Sequence, residues 1–533
     1  MPPRWLIRPA LAAATGFAVW TSFPPLSWWW AAIVGIAGFT LLAATTGRLR
    51  AGVGLGYAFG LGYLVPMMSF LRGIGVDAWL VVAAIEALWY AGLGAAAVLL
   101  ARRRWWALAT PAVWLSVEWL RDRWPFGGFP WARIAFGQDN GPLLPLAAWG
   151  GAPLVGFVVV ALAAALAWAA HRRTVRAGLA LVAVAAVAFG AATAISLPTS
   201  GTSAHGAASH VDVALVQGDV PRLGLDAFAQ QRVVTQNHVV ETEKLAQGVR
   251  AGTVPAPAFV VWPENASDQD PFTDPVARSM IDEAVAAIGR PVLVGAVVNG
   301  PDAQHVQNTA IVWSPTTGPG ERYVKRHLVP FGEYLPFRHL MTDLVGRFSM
   351  ISRDFSPGHR PGVLDIAGVR IGDVICFEVA DDGVVRDAID GGGRLLVVQT
   401  NNATYEHRGD SGHGGETAQQ LGMSRLRAVE HGRAVVVAAT SGVSAVIAPN
   451  GDVRMRSGVF KPALLVADVP LRDPRTTADQ LGAWPERVVA LIGGLAVALA
   501  AAGQWRRRRP ARPAPRSRAE PPAAEPPVLA SSA

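Results

Sequence analysis

Apolar residues dominate the first 197 positions, in runs separated by short breaks that carry Arg, Pro or Gly. A helix that crosses a bilayer needs about 20 predominantly apolar residues. The runs predict membrane helices over 9–24, 27–45, 53–71, 77–100, 107–120, 148–170 and 177–197, with an eighth over 485–504. The fifth is short and contains Glu118. Arg4 and Arg8 precede the first run as they would in a signal peptide, but the further spans that follow favour a first membrane helix.

Between the seventh and eighth runs the pattern changes. Short β-branched stretches recur at Val211–Gln217, Ala258–Trp262, Pro291–Val298, Asn308–Ser314, Val369–Phe377, Arg394–Thr400, Ala434–Ala439 and Ala463–Val469. Helical patterns lie between some of them, as at Pro275–Ile288 and Thr417–Glu430. Buried strands alternating with helices predict an α/β domain. The expected division is transmembrane helices over 1–197, a linker over 198–210, the α/β domain over 211–475, a C-terminal membrane helix over 476–505 and a disordered cytoplasmic tail over 506–533. The tail is rich in Pro, Ala and Arg and has no apolar period.

Charge fixes an orientation. Basic residues flanking membrane helices favour the cytoplasmic side. With the N-terminus inside, the clusters at Arg48 and Arg50, Arg102–Arg104, Arg172–Arg176 and Arg506–Arg509 all fall inside. The loop with Arg121, Arg123 and Arg133 is the exception. The α/β block then lies on the extracytoplasmic side, with both termini cytoplasmic. The net charge of +8 comes largely from these flanking arginines and not from a basic face with interleaved aromatics, so nucleic-acid binding is not expected. Half the chain is hydrophobic and 16% is charged, as a membrane protein requires. A single cysteine excludes an intrachain disulfide, and without a Cys/His cluster a structural zinc site is not expected.

Three strand ends carry candidate chemistry: Glu264 after Trp262-Pro263, Lys325 after Tyr323-Val324, and Cys376 after Val374-Ile375. Singly, each has an ordinary reading as a loop carboxylate, a solvated strand-end charge or a small buried hydrophobe. Together they suffice for acyl transfer: a carboxylate base takes the thiol proton, and an ammonium stabilises the thiolate and the later oxyanion.

The order Trp262-Pro263-Glu264, Lys325 to Glu333 (KRHLVPFGE) and Ile375-Cys376-Phe377-Glu378 resembles the nitrilase, or carbon-nitrogen hydrolase, superfamily. Within it the chain resembles the apolipoprotein N-acyltransferases. Val216–Pro221 is similar to that family's first strand, with Asp219 where the family has Asn. Phe129-Pro130-Trp131 followed by Gly137-Gln138 is similar to its extracytoplasmic loop. The resemblance implies an αββα sandwich on about eight membrane helices. It implies Glu264 as general base, Lys325 as oxyanion stabiliser, Cys376 as nucleophile and Glu333 as an accessory carboxylate. Phe377, where the family often has Tyr, and Glu378 would line the site, with the Phe377 N–H available to an oxyanion hole. The implied substrates are a phospholipid acyl donor in the bilayer and S-diacylglyceryl-cysteine apolipoproteins as acceptors, with no metal or other cofactor. A membrane-tethered amidase and a non-catalytic scaffold are the competing readings. His327 is expected to be structural, Glu86 and Glu118 to orient helices or the outer loop, and Asn401, Asn402 and Thr404 to form a substrate-side loop.

Overall fold

The computed structural model describes residues 4–202, 209–220, 232–344, 346, 353–405 and 415–508. The region expected as a tail beyond Arg508, and positions 203–208 of the expected linker, lie outside the described residues.

Seven helices precede the α/β block: α1 (Arg4–Trp20), α2 (Trp29–Ala44), α3 (Leu49–Met67), α4 (Val76–Ala101), α5 (Trp106–Arg121), α6 (Ala147–Arg172) and α7 (Val175–Ala194). Each expected span has its helix, displaced by a few residues where turns intervene. The first ends at Trp20, short of the expected 24, because a turn begins at Thr21 ahead of Pro24-Pro25. By length and composition alone, Val76–Ala101, Leu144–Arg172, Val175–Ala194 and Trp484–Trp505 are sufficient to cross a membrane among the described residues. Leu80, Val81, Ile85 and Leu88 of α4 and Leu179, Val182 and Val187 of α7 lie exposed, an outer surface suited to lipid rather than water.

The α/β block continues through β1 (His210–Gln217), α8 (Val233–Arg250), β2 (Phe259–Val261), α9 (Pro275–Ile288), β3 (Val292–Asn299), β4 (His305–Ser314) and β5 (Gly318–Val324). It then runs through α10 (Arg338–Leu344), β6 (Asp354–Phe355), β7 (Val363–Ile366), β8 (Val369–Ile375), α11 (Asp382–Asp390), β9 (Leu396–Thr400) and α12 (Gly415–His431). Strands β10 (Val435–Ala439), β11 (Ala445–Ile447), β12 (Val453–Arg456) and β13 (Ala463–Pro470) precede α13 (Thr477–Leu481) and the final apolar helix α14 (Trp484–Arg508). The expected end of that helix at 505 is passed by three residues.

Two sheets form, ordered β13-β1-β2-β3-β4-β5, with β6 beside β4, and β12-β11-β10-β9-β8-β7. At the centre of each the strands are parallel, β1 with β2 and β3, and β8 with β9 and β10. Their facing sides share one core, in which Val213, Leu215 and Val261 meet Ile371, Ile375, Val397 and Val436. Outside the first sheet, Leu245 of α8 and Ile281 and Val285 of α9 cover Val216 and Val260. Outside the second, Val385 of α11 and Leu426 and Val429 of α12 cover Val374 and Val398. The result is the expected αββα sandwich. The last of these groups belongs to a core continuous with the apolar helices, so α12 is buried between sheet and bundle.

Candidate active site

Two parallel strands and the edge strand β5 deliver the candidate residues to one site. Glu264 follows β2, Lys325 follows β5, and Cys376 follows β8. Glu264, Lys325 and Cys376 are 4%, 1% and 6% exposed, so their charges act in a medium far less screening than water. Lys325 Nζ donates to Glu333 Oε1 at 2.9 Å and to Glu264 Oε1 at 3.3 Å. Asn308 Nδ2 donates to the same two oxygens at 3.2 and 2.6 Å. The second oxygens are held by backbone: Asn401 N–H reaches Glu264 Oε2 at 2.8 Å and Val329 N–H reaches Glu333 Oε2 at 2.8 Å. Asn308 and the peptide of Asn401 escaped motif reasoning. The alternation of β4 marked Asn308 only as a polar position within a strand, and a backbone donor leaves no signal in residue identity.

Burial pushes the Glu264 carboxyl above its ordinary range, against the pull of Lys325 and with the help of Glu333. Burial also works against the Lys325 charge, but Glu333 and Glu264 outweigh it and hold the ammonium well above an ordinary lysine. The Cys376 thiol is pushed well up by burial and by Glu264, with Lys325 opposing. The thiol thus shares its buried surroundings with the Lys325 amine and the Glu264 and Glu333 side chains. That set can deprotonate the thiol on demand and stabilise an anion afterwards. Cys376 itself sits at φ 55°, a left-handed conformation that costs a non-glycine residue energy and turns the chain sharply off the strand.

Glu378 does not face the thiol cavity. Its oxygens accept from the Tyr323 hydroxyl at 2.9 Å, and from the N–H groups of Arg326 at 2.6 Å, His327 at 3.0 Å and Ile375 at 2.8 Å. The expectation that it lines the site is corrected: a wholly buried carboxylate with four donors ties the Cys376 turn to the Lys325 segment. Phe377 does line the site. Its ring stacks on Trp131 at 5.9 Å, leans on Phe129 at 5.5 Å and meets the edge of His327 at 5.3 Å. His327 Nδ1 bonds Asp381 Oδ2 at 2.6 Å.

The loop between α5 and α6, expected as the outer loop, therefore forms one wall of the site. Gly128, at φ 90°, makes the loop's close turn, where a Cβ would stand 2.2 Å from the Asp122 carbonyl oxygen. Glu118 accepts from Ile134 N–H at 3.0 Å and from Trp114 Nε1 at 3.1 Å, orienting the loop as expected. Trp131 Nε1 donates to Gln419 Oε1 of α12 at 2.6 Å, and Gln419 Nε2 donates to the Met67 carbonyl that ends α3 at 3.1 Å. A small cavity of about 30 Å³ at Cys376 is lined by Phe129, Phe377, Tyr405 and Glu416 among others. It shares Leu71, Phe129, Val329 and Tyr405 with a larger apolar cavity of about 120 Å³ that reaches Val82, Ile85 and Glu86 on α4. Among the described residues no cluster could hold a metal ion.

Residues 15–165 match the apolipoprotein N-acyltransferase N-terminal domain, and residues 258–479 match the carbon-nitrogen hydrolase domain. The apolipoprotein N-acyltransferase of Mycolicibacterium smegmatis is 42% identical over 92% of this chain and 84% of its own length. The chain belongs to the apolipoprotein N-acyltransferase family. The member from Ralstonia nicotianae is 32% identical, with 93% of each chain covered. Among solved structures, an amidase of Nesterenkonia from the nitrilase superfamily is similar over 51% of this chain and 93% of its own, at 20% identity and a TM-score of 0.36. As an apolipoprotein N-acyltransferase family member, the chain is a membrane acyltransferase whose helical region and nitrilase-type domain both line the cavity at the cysteine.

Proposed function

We propose that the protein transfers an acyl chain from a membrane phospholipid, through a thioester on Cys376, to the α-amino group of the S-diacylglyceryl-cysteine of lipoproteins. The observation that carries this reading is the apolar cavity built jointly by α4, the outer loop and residues Val329–Gly332, which adjoins the thiol cavity. A small-amide hydrolase has no use for an apolar approach shared with membrane helices; a lipid chain does.

In the first half-reaction Glu264 takes the thiol proton as Cys376 attacks the ester carbonyl, then returns it to the departing lysophospholipid oxygen. Lys325 and the Phe377 N–H stabilise the tetrahedral oxyanion, and Glu333 holds the Lys325 ammonium in place. In the second, the lipoprotein amine displaces the thiolate and an amide forms. The α/β domain, over about 211–475, lies on the extracytoplasmic side, with both chain termini cytoplasmic, a reading supported by the arginine clusters.

The test is product mapping. The purified protein is incubated with a defined phospholipid and an S-diacylglyceryl-cysteinyl peptide. The peptide gains one acyl chain as an amide at its N-terminus, with one lysophospholipid released per chain. Ammonia release from small amides without any lipid requirement would contradict the reading and favour a tethered amidase.

A further inference from the structure

The rings around the thiol cavity have a second chemical meaning. Phe70, Phe129, Trp131, Phe377 and Tyr405 line it, and Glu416 is the carboxylate among its described lining residues. The rings touch in sequence: Tyr405 to Phe70 at 5.7 Å, Phe70 to Trp131 at 5.7 Å, and Trp131 to Phe377 at 5.9 Å. Glu416, at the start of α12, is 3% exposed and accepts from the Asn402 amide. Cys376 and Tyr405 both feel its charge. Aromatic faces closed by one buried carboxylate form a recognition site for an ammonium group.

Proton accounting in the proposed reaction shows where such a group arises. The first half-reaction moves one proton, from sulfur to the leaving oxygen, and Glu264 ends as it began. In the second, the C–N bond forms, the C–S bond breaks, and the arriving –NH3+ becomes an amide N–H. Two protons leave nitrogen. One returns to sulfur by way of Glu264; the other needs a second acceptor. An α-amino group has a pKa of about 7.7–8.0, so at neutral pH it arrives mostly as the ammonium. Glu333 and Glu378 are not among the described residues that line the thiol cavity, whereas Glu416 is.

We infer that Glu416 and the surrounding rings form the subsite that receives the acceptor's α-ammonium next to the thioester, and that Glu416 takes its first proton and passes it to solvent. This rests on the acyl-transfer reading above and assigns the amine its own place within that site.

The test uses full-length protein acylated beforehand with phospholipid. Glu416→Gln still forms the thioester, but its transfer to S-diacylglyceryl-cysteinyl peptide falls by about 100-fold at pH 7. The deficit shrinks as pH rises through about 8, where the amine deprotonates unaided. Hydroxylamine, which is neutral at pH 7, releases the chain from wild type and variant at equal rates. Glu416→Asp, which keeps the charge, recovers part of the transfer. Wild-type transfer rates in Glu416→Gln overturn the assignment, as does an equal loss toward hydroxylamine and peptide at every pH. Wild-type protein that forms the thioester yet acylates no peptide overturns the underlying function, and the subsite with it.

Discussion

Lys325 and Glu333 are eight residues apart in sequence and 2.9 Å apart as an ion pair, with the lysine 1% exposed. Such a pair is expensive to break because the remaining partner stays buried and charged. Lys325→Met leaves Glu264 and Glu333 facing one another without their cation. It is expected to destabilise the fold by about 3–5 kcal/mol and to lower thioester formation by at least about 100-fold. Thermal unfolding in detergent and single-turnover acylation check the two effects separately.

The pH dependence of acylation follows from Glu264. Its carboxyl pKa is raised above 4.5 by burial, and only the carboxylate can take the thiol proton. Single-turnover thioester formation should therefore rise with pH through that raised value and be lost as pH falls through it. Lys325 stays an ammonium well beyond neutrality, so no matching loss is expected just above neutral pH. A rate that declines from pH 6 to pH 8, at about constant folding, would contradict this assignment.

His327 and Asp381 set a different pH dependence, one of stability. Burial lowers the histidine pKa, but the Asp381 bond and charge outweigh it, so the folded value is above 6.5. The pair's contribution is fully present below the unfolded value and disappears as pH rises through the folded one. Unfolding measured on both sides of that window should show the effect in wild type and lose it in His327→Gln.

Arg133 joins the outer loop to both halves of the molecule. Its guanidinium contacts Asp122 at 3.2 Å, Asp382 of α11 at 2.5 Å and Glu486 of α14 at 2.7 Å, all buried. Arg133→Met takes one cation from three buried carboxylates, which keep Arg121, Arg427 and Arg123 as their other partners, and should cost about 3 kcal/mol. Thermal unfolding of the detergent-purified variant measures the loss, and an unchanged midpoint would show that the network is not stabilising.

Glu378→Ala should slow acylation although the carboxylate does not face the cavity. Its removal leaves the Arg326, His327 and Ile375 N–H groups without that acceptor and frees the Lys325 segment from the Cys376 turn. Single-turnover acylation checks this, and a wild-type rate would reduce Glu378 to a fold residue.

The sequence was readable where chemistry and periodicity coincide. Helix α9 begins and ends at its expected residues because Asp274 caps it, Pro275 opens it and Gly289 closes it. Strands β3 and β8 were plain from their β-branched runs. Strand β5, Gly318–Val324, was not, because its glycines and exposed charges hide an edge strand. Helix α8 was missed because its buried Val234, His238, Val239 and Leu245 alternate with polar residues that dilute the pattern. Glu264 and Cys376 stand out because each ends a legible strand, and Lys325 because it opens the Lys325–Glu333 run. Asn308 and Glu416 did not, since their significance depends on which segments the fold brings beside them. Glu378 read as a lining residue because its neighbours in sequence are Cys376 and Phe377, and only the short helical turn after β8 points it away.

The most direct test of the account is the intact mass of the purified protein after exposure to a defined phospholipid, beside Cys376→Ala. The account predicts that wild type gains the mass of one acyl chain, that hydroxylamine removes it, and that Cys376→Ala gains nothing. Folded wild-type protein that takes up no acyl chain, or an equal adduct on Cys376→Ala, would contradict it.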